Sequence, residues 1–187
     1  MSRESNLPAT EASAPLPRGY VQLYTGDGKG KTTAAIGLAV RAAGAGLRVF
    51  IAQFIKEGRY SEIQALECFG ERITCRQYGR GRWIRGQASE NDAALARNGL
   101  DDARAVLTSG EYQVVILDEA LLAVWMRMLD VDELLDLIDL KPDCVELVLT
   151  GRRADPRLVE RADLVTEMRE VKHYYRQGVR AREGIES

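Results

Sequence analysis

The chain has 187 residues, 45% of them apolar, and a formal net charge of −2. That length fits one domain, because a second would be too small to bury a core of its own. The near-balanced charge gives no general pull toward nucleic acid or an anionic membrane, and no stretch approaches the ~18 consecutive apolar residues of a bilayer span.

Residues 1–18 are rich in Ala, Pro, Ser and Glu without periodicity, which predicts a mobile tail. The opening "MSRESNLPATEASAPLP" lacks the apolar run of a secretory signal. Cys68, Cys75 and Cys144 are odd in number and widely spaced, with no C-x-x-C pair. They are expected to be reduced and buried in a cytoplasmic protein, without a structural metal.

Residues 19–187 read as a single domain. A short β-rich run, Tyr20 to Tyr24, precedes a glycine loop and a helix from Lys31 to about Ala45, closed by Gly44 and Gly46. "RVFIAQF" (48–54) is a nearly continuous apolar strand, as expected when both faces are covered. Residues 61–69 look helical, "ITCRQY" (73–78) is a third strand, and the basic, glycine-rich "GRGRWIRGQ" (79–87) is a loop. Helical spacing returns at 90–107, followed by the buried strand "VVILD" (114–118) and helices over 119–128 and 131–140. The strand "VELVLTG" (145–151), a short helix over 156–162 and the strand "LVTEMRE" (164–170) complete the pattern.

Strands alternating with helices predict an α/β fold with a mostly parallel central sheet flanked by helices and right-handed crossovers. Ligands in such sheets sit at the carboxyl ends of the strands. The glycine loop, Asp118 with Glu119, Gly151 and the 79–87 loop are thereby placed along one edge.

The glycine loop reads "TGDGKGKTTAA" from Thr25 to Ala35. It departs from the common G-x-x-x-x-G-K-[ST] pattern, with Thr25 in place of the first glycine and glycines alternating at Gly26, Gly28 and Gly30. Such glycines allow positive φ and close approach to a ligand, and their N–H groups can form an anion-binding nest. The following helix adds its free N–H groups and positive dipole end. Lys31 would contact phosphate oxygens and Thr32 would ligate Mg2+, with Thr33 a second hydroxyl and Lys29 an extra cation beside Asp27. The run GKT between a buried strand and a helix points to a nucleoside triphosphate. Thr33, Gly37 and Arg41 share a helix face at i, i+4 spacing, so Arg41 either reaches back to the nucleotide or lies on the surface.

Asp118 and Glu119 emerge where a buried strand ends. A carboxylate there, opposite the loop threonine, suits phosphate-bound Mg2+, which prefers hard oxygen ligands. The alternative is that both only favour the start of the next helix. The spacing leaves open which carboxylate touches the metal. Nothing in the sequence supplies a base for a hydroxyl nucleophile, since the only histidine, His173, stands near the C-terminus.

Four stretches together carry a family resemblance: "TGDGKGKTTAAIGLAVRAAG", "VFIAQFIK", "VVILDE" and "LVLTGRRADPRLVERADLVTEMREVKHYYRQGVRAREGIE". From about Gly19 to Glu186 the chain resembles the P-loop ATP:corrinoid adenosyltransferases, which adenosylate cobalamin and its precursors. The last stretch is the most discriminating, being absent from phosphate-loop proteins in general. "FIKE" replaces the expected "FIKG", with Gly58 one residue on.

The resemblance implies a RecA-like P-loop fold, a cytoplasmic homodimer, Mg2+ or Mn2+, and ATP as adenosyl donor to a reduced corrinoid. An electron donor such as a flavodoxin or flavin reductase would supply the Co(I) state. It implies that Gly26, Asp27, Gly28, Lys29, Gly30, Lys31, Thr32 and Thr33 wrap the triphosphate. Arg41 would contact the nucleotide, and Glu119 would stand nearest the metal with Asp118 in support. In the corrinoid site Trp83 matches the family's tryptophan, while its aromatic partner is replaced by Gly81 or Arg82. Arg76, Arg80, Arg82 and Arg85 would either face the corrin side chains or be solvated.

In the implied reaction Co(I) attacks the ribose 5′-carbon of ATP and the intact triphosphate leaves, so no catalytic base is needed. The protein's tasks are in-line positioning and stabilisation of the leaving group, with the tail as one candidate cover for the site. Two other classes share the loop and acidic pair: a P-loop phosphotransferase or ATPase such as a nucleoside kinase, and an ATP-regulated non-catalytic binding module. Neither accounts for "ADLVTEM…VKH…GIE".

Overall fold

The structure, a computed structural model, describes residues 16–58, 60–81 and 86–186. Six strands form one sheet: β1 (Val21–Thr25), β2 (Val49–Ile55), β3 (Ile73–Gly79), β4 (Val114–Asp118), β5 (Glu146–Thr150) and β6 (Leu164–Glu167). Their order is β3-β2-β4-β5-β1-β6, and every pairing is parallel. Among the described residues the six α-helices are α1 (Lys31–Gly44), α2 (Ser61–Leu66), α3 (Glu90–Thr108), α4 (Ala120–Trp125), α5 (Val131–Leu140) and α6 (Pro156–Arg161). This is the α/β architecture expected, with all six strands parallel.

The sheet's period of two distributes its side chains between two apolar layers. Leu23, Phe50, Ala52, Phe54, Val115, Leu117, Leu147 and Leu149 pack on the face covered by α3, α4, α5 and α6. Val49, Ile51, Val114, Ile116 and Val148 face α1, whose Ala35, Ala39, Ala42 and Ala43 let the helix lie close to the sheet. β4 is buried along its whole length and β2 in all but Ile55, which explains their unbroken apolar runs. Phe54 is fully buried, which is worth roughly 1.5–3 kcal/mol in transfer from water.

Local signals explain most helix boundaries. Ser89 and Asp92 form a capping box on α3, Asp130 and Glu133 another on α5, and Asp155 caps α6 ahead of Pro156. Two helices differ from the sequence expectation. The helix expected over 119–128 is shortened to Ala120–Trp125, because Glu119 and Arg127 both take left-handed φ of 63° and 59°. The helix expected over 61–69 gives way after Leu66 to a 3-10 segment, Glu67–Arg72, broken by Gly70.

The cysteines require a correction. All three are free, but Cys68 is exposed and Cys75 and Cys144 are only half-buried. Burial pushes the Cys75 thiol up to about 12, with Asp118 adding to the effect. Among the described residues no helix is long and apolar enough to cross a membrane. The tail expected over 1–18 lies outside the described residues up to position 15.

Candidate active site

The strand order decides how the site is assembled. β1 carries the glycine loop and β4 the acidic pair, and β5 lies between them. Thr150, the last residue of β5, therefore stands between the two motifs. Its hydroxyl donates to Asp118 Oδ1 at 2.7 Å and accepts from the Glu119 N–H at 3.0 Å. Thr32, in the first turn of α1, donates to the same Asp118 oxygen at 2.8 Å. From the other side, Lys56 and Gln53 of the β2 edge donate to Asp118 Oδ2 at 2.8 and 3.2 Å. Asp118 is 1% exposed and has four donors on its two oxygens.

Glu119 is in a different situation. Its Oε2 is buried with no hydrogen-bond partner among the described residues. Burial and the neighbouring Asp118 charge both raise its pKa, while Lys56, Lys31 and Arg152 pull it back. A buried oxygen with an unmet acceptor, next to a second carboxylate and a threonine hydroxyl, is a donor set that fits a hard divalent cation.

In the loop, Lys31 is buried and its ammonium donates to the carbonyls of Gly26 and Gly28 at 2.8 and 2.7 Å. Burial lowers its pKa, offset in part by Glu119, Asp27 and Asp118 and reinforced by Arg152. Gly26 and Gly30 take positive φ of 96° and 119°, as expected. Gly28 does not, and its role differs from the expectation. A Cβ there would lie 2.7 Å from the Met168 carbonyl oxygen, and its N–H is engaged by that oxygen at 2.6 Å. Part of the expected N–H nest is thus closed by the chain leaving β6. Lys29 donates to the Ile185 carbonyl at 2.8 Å, and Asp27 lies 3.9 Å from both Arg152 and Arg153.

Lys29, Lys31, Thr32, Asp118 and Glu119 are therefore gathered at one edge of the sheet. Thr33, Gly37 and Arg41 are all exposed on one face of α1, with Arg41 about 15 Å along the helix from Lys31 at 1.5 Å per residue. Arg41 is near enough to Tyr24 to lower its pKa, against burial and Glu146, which raise it more.

Two of the four arginines, Arg76 within β3 and Arg80 just after it, are engaged by carboxylates of α3. Arg80 grips Asp92 through two bonds, at 2.8 and 3.0 Å, and also donates to Ser89. Arg76 pairs with Asp102 at 2.9 Å. Trp83, Arg82 and Arg85 lie outside the described residues. His173 accepts from the Tyr175 N–H and caps a 3-10 turn, Tyr174–Gln177.

Sequence reasoning missed four contributors to the site: Lys56, Gln53, Thr150 and Met168. The carboxyl-edge rule that places Gly151 and the 79–87 loop at this edge also marks the ends of β2, β5 and β6, but it does not say which side chains meet there. Burial works to lower the Lys56 pKa, but Asp118 and Glu119 outweigh it and the net direction is upward.

Residues 17–187 match the family described as ATP:corrinoid adenosyltransferase BtuR/CobO/CobP. The chain is similar to a corrinoid adenosyltransferase of Pseudomonas aeruginosa, 35% identical over 94% of this chain and 87% of that protein. It is likewise similar to corrinoid adenosyltransferases of Escherichia coli K12 and Salmonella typhimurium, 35% and 33% identical, each over 98% of this chain and 93% of the relative.

Proposed function

The chain belongs to the ATP:corrinoid adenosyltransferase family, and on that premise we propose how its own residues carry out the transfer. The observation that carries the reading is the buried, unpartnered Glu119 Oε2 beside the Thr32–Asp118 pair, at the mouth of a lysine-bearing glycine loop. The family assignment makes the protein a transferase that uses ATP and a corrinoid. Residue roles, metal and partners are the parts proposed.

Lys31 already aims its ammonium into the loop, where backbone carbonyls accept its hydrogens. A triphosphate would offer stronger, charged acceptors to the same group. Gly26, Asp27, Gly28, Lys29, Gly30, Thr32 and Thr33 would form the remaining wall, with Arg41 on the continuing helix face. Thr32 and Glu119 would hold Mg2+ or Mn2+, with Asp118 orienting Thr32 through its hydrogen bond. When bound, the metal neutralises charge on the triphosphate oxygens.

The corrinoid Co(I), a substrate, donates its electron pair to the 5′-carbon as the C5′–O5′ bond breaks. Both bonding electrons leave with the triphosphate. The loop lysines stabilise the charge that develops on that leaving oxygen, and no residue has to remove a proton. Trp83 and Arg82 would line the corrinoid side of the site. The proposal extends to residues 19–187 acting as one catalytic unit, in a cytoplasmic homodimer served by a flavin-based electron donor.

The decisive assay is anaerobic, with ATP, Mg2+ and chemically reduced corrinoid. The absorbance change of Co–C bond formation should be accompanied by tripolyphosphate in the phosphorus NMR spectrum. ADP with phosphate, and no Co–C bond, would instead indicate phosphoryl transfer.

A further inference from the structure

Lys56 stands one residue beyond β2 and reaches both Thr32, which the proposed function assigns to the metal, and Asp118, which orients that threonine. Its ammonium lies 2.8 Å from Asp118 Oδ2 and 3.2 Å from Thr32 Oγ1. We propose that Lys56 is the resident cation of this site, holding Thr32 and Asp118 while no nucleotide is bound and so making divalent-metal binding conditional on the triphosphate. The inference rests on the reading of Thr32, Asp118 and Glu119 as the metal–nucleotide site.

The backbone is arranged to deliver this contact. Ile55 takes a φ of 68°, a conformation that is a genuine outlier for a β-branched residue. Its neighbour in β3 is Gly79, where a Cβ would fall 2.3 Å from the Ile55 carbonyl carbon. The glycine therefore admits the kink, and the kink accompanies the turn of Lys56 toward β4. Backbone strain of this kind persists only where surrounding contacts over-determine it, and the Lys56–Asp118 ion pair is one such contact.

Charge logic makes the placement consequential. A metal on Thr32 Oγ1, at a Mg–O distance near 2.1 Å, would sit no farther than about 5.3 Å from the ammonium, which is 3.2 Å from that oxygen. Two cations that close, beside an Asp118 side chain only 2% exposed, repel more strongly than they would in water. A metal arriving alone must either tolerate this repulsion or displace Lys56 and leave a buried carboxylate short of its partner. A triphosphate removes the conflict. It supplies oxygen ligands to the metal and a polyanionic partner for the displaced ammonium. Glu119 Oε2, which takes no hydrogen bond from Lys56, remains open for the metal.

The test is Mn2+ binding to the full chain, followed by electron paramagnetic resonance with and without ATP, independent of turnover. Wild type should bind Mn2+ weakly until ATP is added. Lys56→Met should tighten nucleotide-free Mn2+ binding on the order of 10-fold, within the usual range of coupling between two sites. Lys56→Arg, which keeps the charge, should remain weak. Adding Glu119→Gln to Lys56→Met should remove the gain. Lys56→Gln retains a donor for Asp118 and gives the same comparison if the methionine variant folds poorly. If ATP recruits Mn2+ to wild type yet neither neutral variant binds it more tightly alone, the inference falls and the site reading stands. An equal gain in Lys56→Arg would assign the effect to packing and also overturn it. If ATP recruits no Mn2+ to wild type, both fall.

Discussion

At the scale of single residues, Asp118 has both carboxylate oxygens engaged by Thr32, Thr150, Gln53 and Lys56, whereas Glu119 keeps one buried oxygen unpartnered. In the proposed function the two adjacent carboxylates therefore divide the work, one organising Thr32 and the other open to the metal. Glu119 also adopts a left-handed φ of 63°, an unusual conformation for a non-glycine residue and one that concentrates at functional sites. Its raised pKa means that the fold favours the protonated form. The associated stability is present below the unfolded value near 4.3 and is lost as pH rises through the folded pKa, so at pH 7 the charge is a net cost. Glu119→Gln should accordingly hold or raise the melting temperature of the nucleotide-free protein while lowering kcat/KM by roughly 100- to 1000-fold. Thermal unfolding and the anaerobic assay, run on the same preparation, check both halves.

At the scale of elements, the start of α3 is tied to the end of β3. Arg80 follows β3 directly and reaches Asp92, which with Ser89 also closes the capping box of α3. The two ends of the segment that carries Trp83 are thus clamped to each other. Arg80's hydrogen bonds hold the Asp92 carboxyl far below the usual carboxylate range, with Ser89 adding to the effect. A depressed folded pKa contributes stability that is present above the unfolded value near 3.9 and lost as pH falls toward the folded one. Stability measured by denaturant should therefore decline from about pH 4 downward. Asp92→Ala should flatten that decline and cost about 1 kcal/mol at pH 7 through loss of the cap. An unchanged acid profile in the variant would remove Asp92 as its source.

For the molecule as a whole, the glycine loop is completed from the far end of the chain. Met168 accepts from the Gly28 N–H, and its own N–H donates to the Thr25 carbonyl at 2.8 Å. A Cβ at Gly28 would meet Met168 backbone atoms at 2.7 and 2.8 Å, with no flexible side chain to give way. Gly28→Ala should therefore lower the melting temperature and weaken ATP binding together. Gly37→Ala has nothing within 4 Å of its Cβ and lies inside α1. It should stabilise by about 0.5–1 kcal/mol through helix propensity. Calorimetric melting and ATP titration of the two variants make the comparison. If Gly28→Ala behaved like Gly37→Ala, contact between the loop and β6 would not limit this position.

Much of this was legible in the residues themselves. The β4 and α5 boundaries coincide with those read from apolar runs and caps, because a strand buried on both faces and a boxed helix start are local patterns. The GKT run and the acid pair at a strand end were likewise marked by residue type and position, and the structure brings them together at Thr32 and Asp118. What the tertiary structure alone decided was adjacency. β5 stands between β1 and β4, so Thr150 meets the acidic pair, and Thr32 reaches Asp118 from 86 residues away on the same carboxylate oxygen. Lys56 meets Asp118 just past a kink at Ile55 that Gly79 admits, and Gly28 leaves room for the Met168 backbone that returns to it. None of these contacts has a period or a spacing in the sequence, because each is set by strand order and by backbones meeting across the sheet.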